Sequence, residues 1–378
     1  MASIRKRRWV SRGQTQSAWV VNYFDQASKR RLKTFATKRE ADEWAVTALH
    51  EVNEGVHSPA SASITVAEAF QSWIEHCEAE KLEFGTLRQR RQHLRLHVGP
   101  FLGREKLSDL TVPRIHQFDT DLRANGRSLA MRKKVLTNLK TAISYAQSRG
   151  LVAQNVARSV RLKAEDRTDA GPLREGVDFP SKAELKAMID KSPERWRALI
   201  VALVFTGMRI SEARGLPWRN VDLTTGLIHV RQRADAWGHI GPPKSKRGKR
   251  DIPLAPMVVN ALRSWRGACP KGNLDLVFPN RRGNIETIQN LRERVFLPLQ
   301  VAAGLVTEKG KAKYGFHALR HAAASLFIAH LGWTPKRVQA VMGHATIAMT
   351  FDLYGHLFED PRADQEAMKK VEAAVVAA

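Results

Sequence analysis

Two stretches of the chain carry no periodic apolar face and so cannot join a packed layer: GVHSPASAS at 55–63 and RLKAEDRTDAGPLREGVDFP at 161–180. Both are rich in small, charged or helix-breaking residues and read as linkers. They divide the 378 residues into three blocks, 1–58, 64–160 and about 175–378, each long enough to bury its own core. The chain is therefore expected to be multidomain, mainly α with small β-sheets. In the first block apolar and polar residues alternate around Trp19, Val21 and Tyr23. The chain turns at DQASKRR and resumes at Leu32 and Phe35, and a helical pattern then runs from Thr37 to about Asn53. A small sheet followed by a helix results, with Trp19 and Trp44 in its core. The second block reads as four helices: one capped by Thr65, one capped by Thr86, then PRIHQFDTDLRANG and SLAMRKKVLTNLKTAISYAQSRG. The third opens with helices over SKAELKAMID and ERWRALIVALVFTG, passes through a hairpin from GLIHVRQ to KRDIPL, and closes with helices.

With 62 Lys+Arg against 37 Asp+Glu, the formal net charge is +25, which points to a polyanionic partner because cations released from phosphates drive such binding. The basic residues are spread along the chain and not gathered on one amphipathic helix, so nucleic acid is favoured over an anionic membrane surface. No apolar run approaches the roughly 18 residues of a membrane span. MASIRKRRWV lacks the apolar segment of a secretory signal, so a cytoplasmic protein is expected. Cys77 and Cys269 lie far apart without metal-ligand spacing, and no glycine-rich phosphate loop or tight carboxylate cluster occurs, so neither a metal nor a cofactor is expected.

Arg7, Arg8, Arg30 and Arg31 lie in the strand half of the first block, where a basic ribbon fits the major groove of duplex DNA; a solvated basic face is the plain alternative. The second helix of the second block carries Arg88, Arg90, Arg91 and Arg95 with His93 and His97, and the fourth carries Arg132, Lys133, Lys134 and Lys140. Two such runs in one small bundle favour phosphate contact, with Arg88, Arg91, Arg95, Arg132 and Lys133 as candidates.

The third block holds four patches of polar residues: TGMRISEARGL at 206–216, PPKSKRGKRDIPL at 242–254, HALRH at 317–321 and MGHATIAMTFDLYGH at 342–356. Of the tyrosines Tyr23, Tyr145, Tyr314 and Tyr354, only the last stands in a TxxxYGH context. On these patches the chain resembles the tyrosine recombinase family, the phage-type integrases. The resemblance implies an N-terminal β-sheet-plus-helix arm-binding domain, an all-α core-binding domain and an α+β catalytic domain.

It further implies that Tyr354 is a nucleophile forming a 3′-phosphotyrosyl link, with Arg209 and Arg320 clamping the scissile phosphate as planar bidentate donors. His317 and His344 would hydrogen-bond the phosphate and help move the nucleophile's proton. Lys244 matches a mobile general acid, with Lys246 and Lys249 as rivals in the same hairpin. Glu212 matches an acidic helper one helical turn from Arg209, although a plain intrahelical ion pair fits it equally. The implied partners are double-stranded DNA attachment sites, further copies of the chain in a homotetramer, and DNA-bending accessory proteins. The helical tail RADQEAMKKVEAAVVAA would pack either on its own domain or on a neighbouring copy. A type IB topoisomerase would use the same phosphotyrosine route without site choice, and a non-enzymatic regulator would need a broken set of site residues.

Overall fold

A computed structural model of the chain describes residues 2–11, 14–25, 28–53, 63–162, 173–358 and 361–376; the linker at 55–63, except Ser63, and the middle of the linker at 161–180 lie outside them. Its contacts group the chain into two compact units, Met1–Arg167 and Thr168–Ala378.

The first unit opens with three antiparallel strands in the order β1 (Ser3–Ser11), β2 (Gln14–Phe24), β3 (Arg30–Phe35), followed by helix α1 (Lys38–Asn53). Val21, Ala41 and Ala45 form a small core on which Trp19, Phe35 and Trp44 pack. Strand β1 pairs along its whole length with β2, from Ser3 opposite Asn22 to Ser11 opposite Gln14. It has no buried residue, so no apolar alternation announces it. Arg7 and Arg8 are exposed on it. Arg30 donates to Asn22 Oδ1, and Arg31 is ion-paired to the buried Asp25 at 2.7 Å.

The bundle that follows comprises α2 (Val66–Ala79), α3 (Phe84–His93) continuing through a π-turn into the short α4 (Gly99–Leu102), α5 (Val112–Ala124) and α6 (Leu129–Ser148). Thr65 and Glu68 close a capping box on α2, and Thr111 and Ser128 cap α5 and α6. Thr86 does not cap α3: that helix begins at Phe84 after Glu83, and Thr86 sits in its first turn. Arg88, Arg91 and Arg95 face outward, Arg91 paired to Glu78, and Lys133 and Lys134 are exposed. Arg132 instead belongs to the buried stripe of α6 with Val135, Leu136 and Leu139, where it pairs with Asp119 at 2.8 Å. His93 and His97 are likewise interior, so the cationic face of the bundle is narrower than the sequence suggests.

His93 shares a 2.8 Å hydrogen bond with Asn138, and burial, with His97 and Lys134 nearby, lowers its pKa to about 4; burial also lowers that of His97. A folded pKa below the ordinary 6.5 means that the unfolded chain takes up the proton first. Stability present above pH 6.5 is then lost as pH falls towards 4, by about 1.4 kcal/mol per unit for a fully neutral imidazole. A thermal scan between pH 7 and pH 5 should show a falling midpoint, and His93→Gln should flatten that slope.

The second unit runs α7 (Lys182–Asp190), α8 (Glu194–Thr206), α9 (Ile210–Arg214), β4 (Val221–Asp222), β5 (Leu227–Val230), β6 (Arg233–Ala234), β7 (Ile240–Gly241), β8 (Arg250–Pro253) and α10 (Pro256–Ala268). It closes with α11 (Ile288–Asn290), α12 (Leu297–Ala302), α13 (Phe316–Leu331), α14 (Pro335–Met342), α15 (Ala348–Tyr354) and α16 (Pro361–Val376). The expected hairpin is β5 against β8, Ile228 opposite Ile252, and β4 extends it to three strands. A second, two-stranded hairpin of β6 and β7 stands in the connection between them. Helix α8 is buried almost all round from Ala198 to Val204, which its unbroken ALIVALV requires. Ala322, Ala323 and Ala324 on α13 are buried too, and their small side chains let α13 approach α8 closely. The unit holds one core spanning α7, α8, the sheet, α10, α13, α14 and Tyr354.

Candidate active site

The site is built where two helices stop. α8 and α14 both end in a glycine with left-handed backbone, Gly207 at φ 61° and Gly343 at φ 65°. A Cβ on Gly207 would meet Met342 Sδ at 2.8 Å, and one on Gly343 would meet Arg250 Nη1 at 3.0 Å, so neither turn has room for a side chain. The chain leaves these caps into Arg209 and His344.

Arg320, buried on α13, spans both helix ends: Nη1 donates to Gly207 O at 2.7 Å and Nη2 to Met342 O. Arg209 Nη2 reaches Gly343 O at 3.2 Å. Arg250, at the start of β8, donates through Nε to Val341 O. Three consecutive carbonyls at the negative end of α14 thus accept from three different arginines, which satisfies acceptors the helix leaves orphaned.

Glu212 is the carboxylate at the centre. It takes two bonds from Arg250, Nη1 to Oε1 at 3.0 Å and Nη2 to Oε2 at 2.8 Å, and one from Arg209 Nη1 at 2.8 Å. Burial alone would raise its pKa, but the hydrogen bonds and charge of Arg250, with Arg209, hold it at about 2. One carboxylate against three guanidinium groups leaves a surplus of positive charge, the condition for receiving a phosphate. The same crowding is felt by Arg320, whose pKa burial and its neighbours Arg209 and Arg250 lower to about 9, so it stays charged at neutral pH.

The Tyr354 hydroxyl and His321 Nδ1 share a hydrogen bond at 2.7 Å. Tyr354, at the end of α15, is only 1% exposed. Burial raises its pKa, with Arg320 opposing the shift, so the resting phenol is protonated. His344 is buried with Nδ1 at 2.9 Å from Thr350 Oγ1, and its ring lies parallel to that of Tyr354 at 6.4 Å. Burial, with Arg320 and Arg209, lowers its pKa to about 3, so the imidazole is neutral. His317, exposed on the first turn of α13, packs edge-on against His321 at 4.7 Å; desolvation, then Arg320 and Arg209, lower its pKa.

Arg209, Glu212, His317, Arg320, His344 and Tyr354 are therefore brought together. Lys244, Lys246 and Lys249 are exposed on the loop between β7 and β8. That loop is seated beside the arginines, since Arg250 Nη1 also donates to Gly248 O at 3.0 Å. Gly248 lies so close to Pro243 that a Cβ there would meet Pro243 Cβ at 2.4 Å. Tyr314 stands apart, buried with its hydroxyl on Glu184 Oε2 at 2.9 Å. Two residues of the cluster escaped the sequence reading. Arg250 looked like one more cation in KRGKRD, although its alternation with Ile252 on β8 points it inward. His321 stands at i+4 from His317, on the same face of α13.

Among the described residues no group of histidine, cysteine and acidic side chains has the arrangement to hold a metal ion, and no helix is long and apolar enough to cross a membrane. Most of the chain is similar to known proteins. Residues 180–360 match the phage integrase family, and residues 65–122 match the phage integrase N-terminal SAM-like domain. The tyrosine recombinase XerC of Xanthomonas campestris is 27% identical over 308 residues, covering 79% of this chain and 86% of the relative. The prophage integrase IntR of Escherichia coli is 24% identical over 261 residues, covering 64% of this chain and 61% of that protein. Among solved structures, the Tn1549 transposon integrase in complex with a circular intermediate DNA matches with a TM-score of 0.67 at 21% identity, covering 82% of this chain and 100% of that one. A lambda integrase tetramer bound to a Holliday junction matches at 0.58 and 18% identity, over 90% of this chain and 95% of that one. With its catalytic and helical segments both matched, the chain belongs to the phage integrase family of tyrosine recombinases and is by that membership a site-specific recombinase.

Proposed function

We propose that the protein cleaves and rejoins double-stranded DNA at attachment sites through a 3′-phosphotyrosyl link to Tyr354, integrating and excising a mobile element. The observation that carries this reading is the meeting of a buried, histidine-bonded tyrosine with a three-arginine pocket holding a single carboxylate. Arg209 and Arg320 would bind the non-bridging oxygens of the scissile phosphate, and their charge would grow in value as the pentacoordinate transition state forms. Glu212 acts as a positioning residue for Arg209. His317 and His344 would border the phosphate, neutral and able to donate one hydrogen bond each. Residues 1–58 would serve as an arm-site domain and 64–160 as a core-site domain, with the outward cations Arg7, Arg8, Arg88, Arg91, Arg95 and Lys133 on the DNA backbone. Arg30 and Arg31 are already bonded to Asn22 and Asp25 and would meet DNA with their remaining donors, and Arg132 would brace α6 from within.

The tail favours assembly through further copies of the chain, up to a tetramer, because Met368, Val371, Val375 and Val376 of α16 are exposed and not packed on their own domain. DNA-bending accessory proteins would complete the assembly. The test is exchange of flanks between two duplexes that carry the sequence protected beside the protein's own gene. Equally fast relaxation of supercoiled DNA lacking that sequence would instead mark a topoisomerase.

For the leaving-group acid we propose Lys244. Substituting the bridging 5′ oxygen by sulfur creates a leaving group that needs no proton. On that substrate Lys244→Ala should cleave near the wild-type rate, while on the oxygen substrate it should fall about 10²-fold. Full rescue of Lys246→Ala or Lys249→Ala, and not of Lys244→Ala, would reassign the role.

A further inference from the structure

We propose that His321, and neither His317 nor His344, takes the phenolic proton of Tyr354 during strand cleavage and returns it during rejoining. This rests on the reading of Tyr354 as nucleophile. Among the described residues His321 is the hydrogen-bonding partner of the Tyr354 hydroxyl, at 2.7 Å. The two competing histidines are otherwise placed. His344 turns Nδ1 to Thr350 and stacks its ring flat alongside the phenol ring, and His317 meets the edge or face of His321. His321 immediately follows Arg320 on α13, so the residue that would receive the proton and the one that would bind the phosphate ride on one rigid element.

The charges around His321 explain when the transfer would occur. Burial, the neighbouring His317 and the Arg320 guanidinium hold the imidazole neutral, with a pKa near 4, against a weaker opposing pull from Asp178. With the pocket empty, His321 is a weak base and Tyr354 keeps its proton. A phosphodiester between Arg209 and Arg320 offsets their charge at close range and makes the imidazolium easier to form. The nucleophile is thereby armed by the arrival of DNA.

As Tyr354 Oη bonds to phosphorus, its proton passes to His321 Nδ1. The bond from phosphorus to the 5′ oxygen breaks with its electron pair going to that oxygen, which takes a proton from the lysine loop and leaves as a hydroxyl. In rejoining, a 5′ hydroxyl attacks the same phosphorus, the tyrosyl oxygen leaves and regains its proton from His321, and the lysine recovers the one it gave.

The test is single-turnover cleavage of a nicked duplex carrying the protein's own recombination site, read as covalent adduct. Wild type, His321→Asn, His317→Asn and His344→Asn are each made with tyrosine or with a fluorinated, more acidic tyrosine at position 354. His321→Asn should bind the duplex normally yet form adduct about 10²-fold more slowly, and the acidic tyrosine should restore most of that loss in this variant alone. Cleavage by His321→Asn within about 3-fold of wild type, no rescue, or rescue confined to His317→Asn or His344→Asn would overturn the assignment. A measurement on the intact site guards against misfolding: the His321 ring-nitrogen resonances should differ between wild type and Tyr354→Phe, and identical resonances would also overturn it. Failure of the underlying reading looks different, since wild type would then form no adduct or Tyr354→Phe would still form one.

Discussion

Tyr354→Phe should form no covalent adduct on a nicked duplex that traps wild type, while binding the same DNA with unchanged affinity. The substitution removes one oxygen atom and leaves the ring in its place. At 1% exposure that ring is held by the core of the second unit, and a phenylalanine fills the same space. The lost hydroxyl costs one hydrogen bond to His321, worth about 1 kcal/mol, too little to unfold the domain. The arginines that would hold the phosphate are fastened to backbone carbonyls and to Glu212, not to the phenol, so the binding pocket survives. Tyr314 cannot substitute, because its hydroxyl is bound to Glu184 and is drawn further from ionisation by burial and that carboxylate. Adduct at the wild-type level from Tyr354→Phe, read on a denaturing gel, would remove Tyr354 from the mechanism.

Arg250→Ala should be the most destabilising single change in the site, lowering unfolding free energy by about 3–5 kcal/mol in a denaturant titration at neutral pH. It strips a two-point partner from a carboxylate that is 2% exposed and leaves the Val341 and Gly248 carbonyls without this donor. Arg209 keeps its backbone and Nη1 bonds to Glu212 but, with its side chain partly exposed, compensates weakly. The carboxyl would then rise from about 2 towards its ordinary range.

The sign with pH follows. A folded pKa of about 2 against an ordinary 4.5 contributes about 3 kcal/mol of stability above pH 4.5, lost as pH falls from there towards 2. Arg250→Ala should erase most of that acid transition. Glu212→Gln in the Arg250→Ala background should recover part of the loss, since no buried charge is then left unpaired; strict additivity of the two would show that the pair is not coupled. Strand cleavage should fall in both single variants, because Glu212→Gln weakens the hold on Arg209 and Arg250→Ala loosens the carboxylate that provides it.

How much of this was legible in the sequence depended on whether a local rule had a competitor. The cap read at Thr65 has a glutamate three residues on and closes a capping box, as Ser181 does with Glu184 at the start of α7. Thr86 has Gln89 at the same spacing, yet it sits in the first turn of a helix whose N-cap is Glu83. Arg132 continues the buried stripe of Val135, Leu136 and Leu139, so its spacing places it inside where its charge alone points outside. Strand β1 gave no alternation because neither of its faces is buried.

For the site, the turns TGMR and MGH were legible because each follows an apolar helical run with a glycine, the residue that best tolerates a left-handed cap. What the sequence hid was partnership: that Arg250 would hold Glu212, and that the hydroxyl of Tyr354 would meet His321 across 33 residues of chain. Such pairings are properties of the packed helices and have no local signature.

The bridging of two helix ends by Arg320 has a consequence for how quickly the pocket can load. Its guanidinium rests on neutral acceptors, Gly207 O and Met342 O, whereas Arg209 and Arg250 share the charge of Glu212. An incoming phosphate would therefore have no resident anion to expel from Arg320. Docking there would require no rupture of an internal ion pair, which removes that step from the loading of the pocket and leaves opening of the buried guanidinium, 3% exposed, as the step that remains.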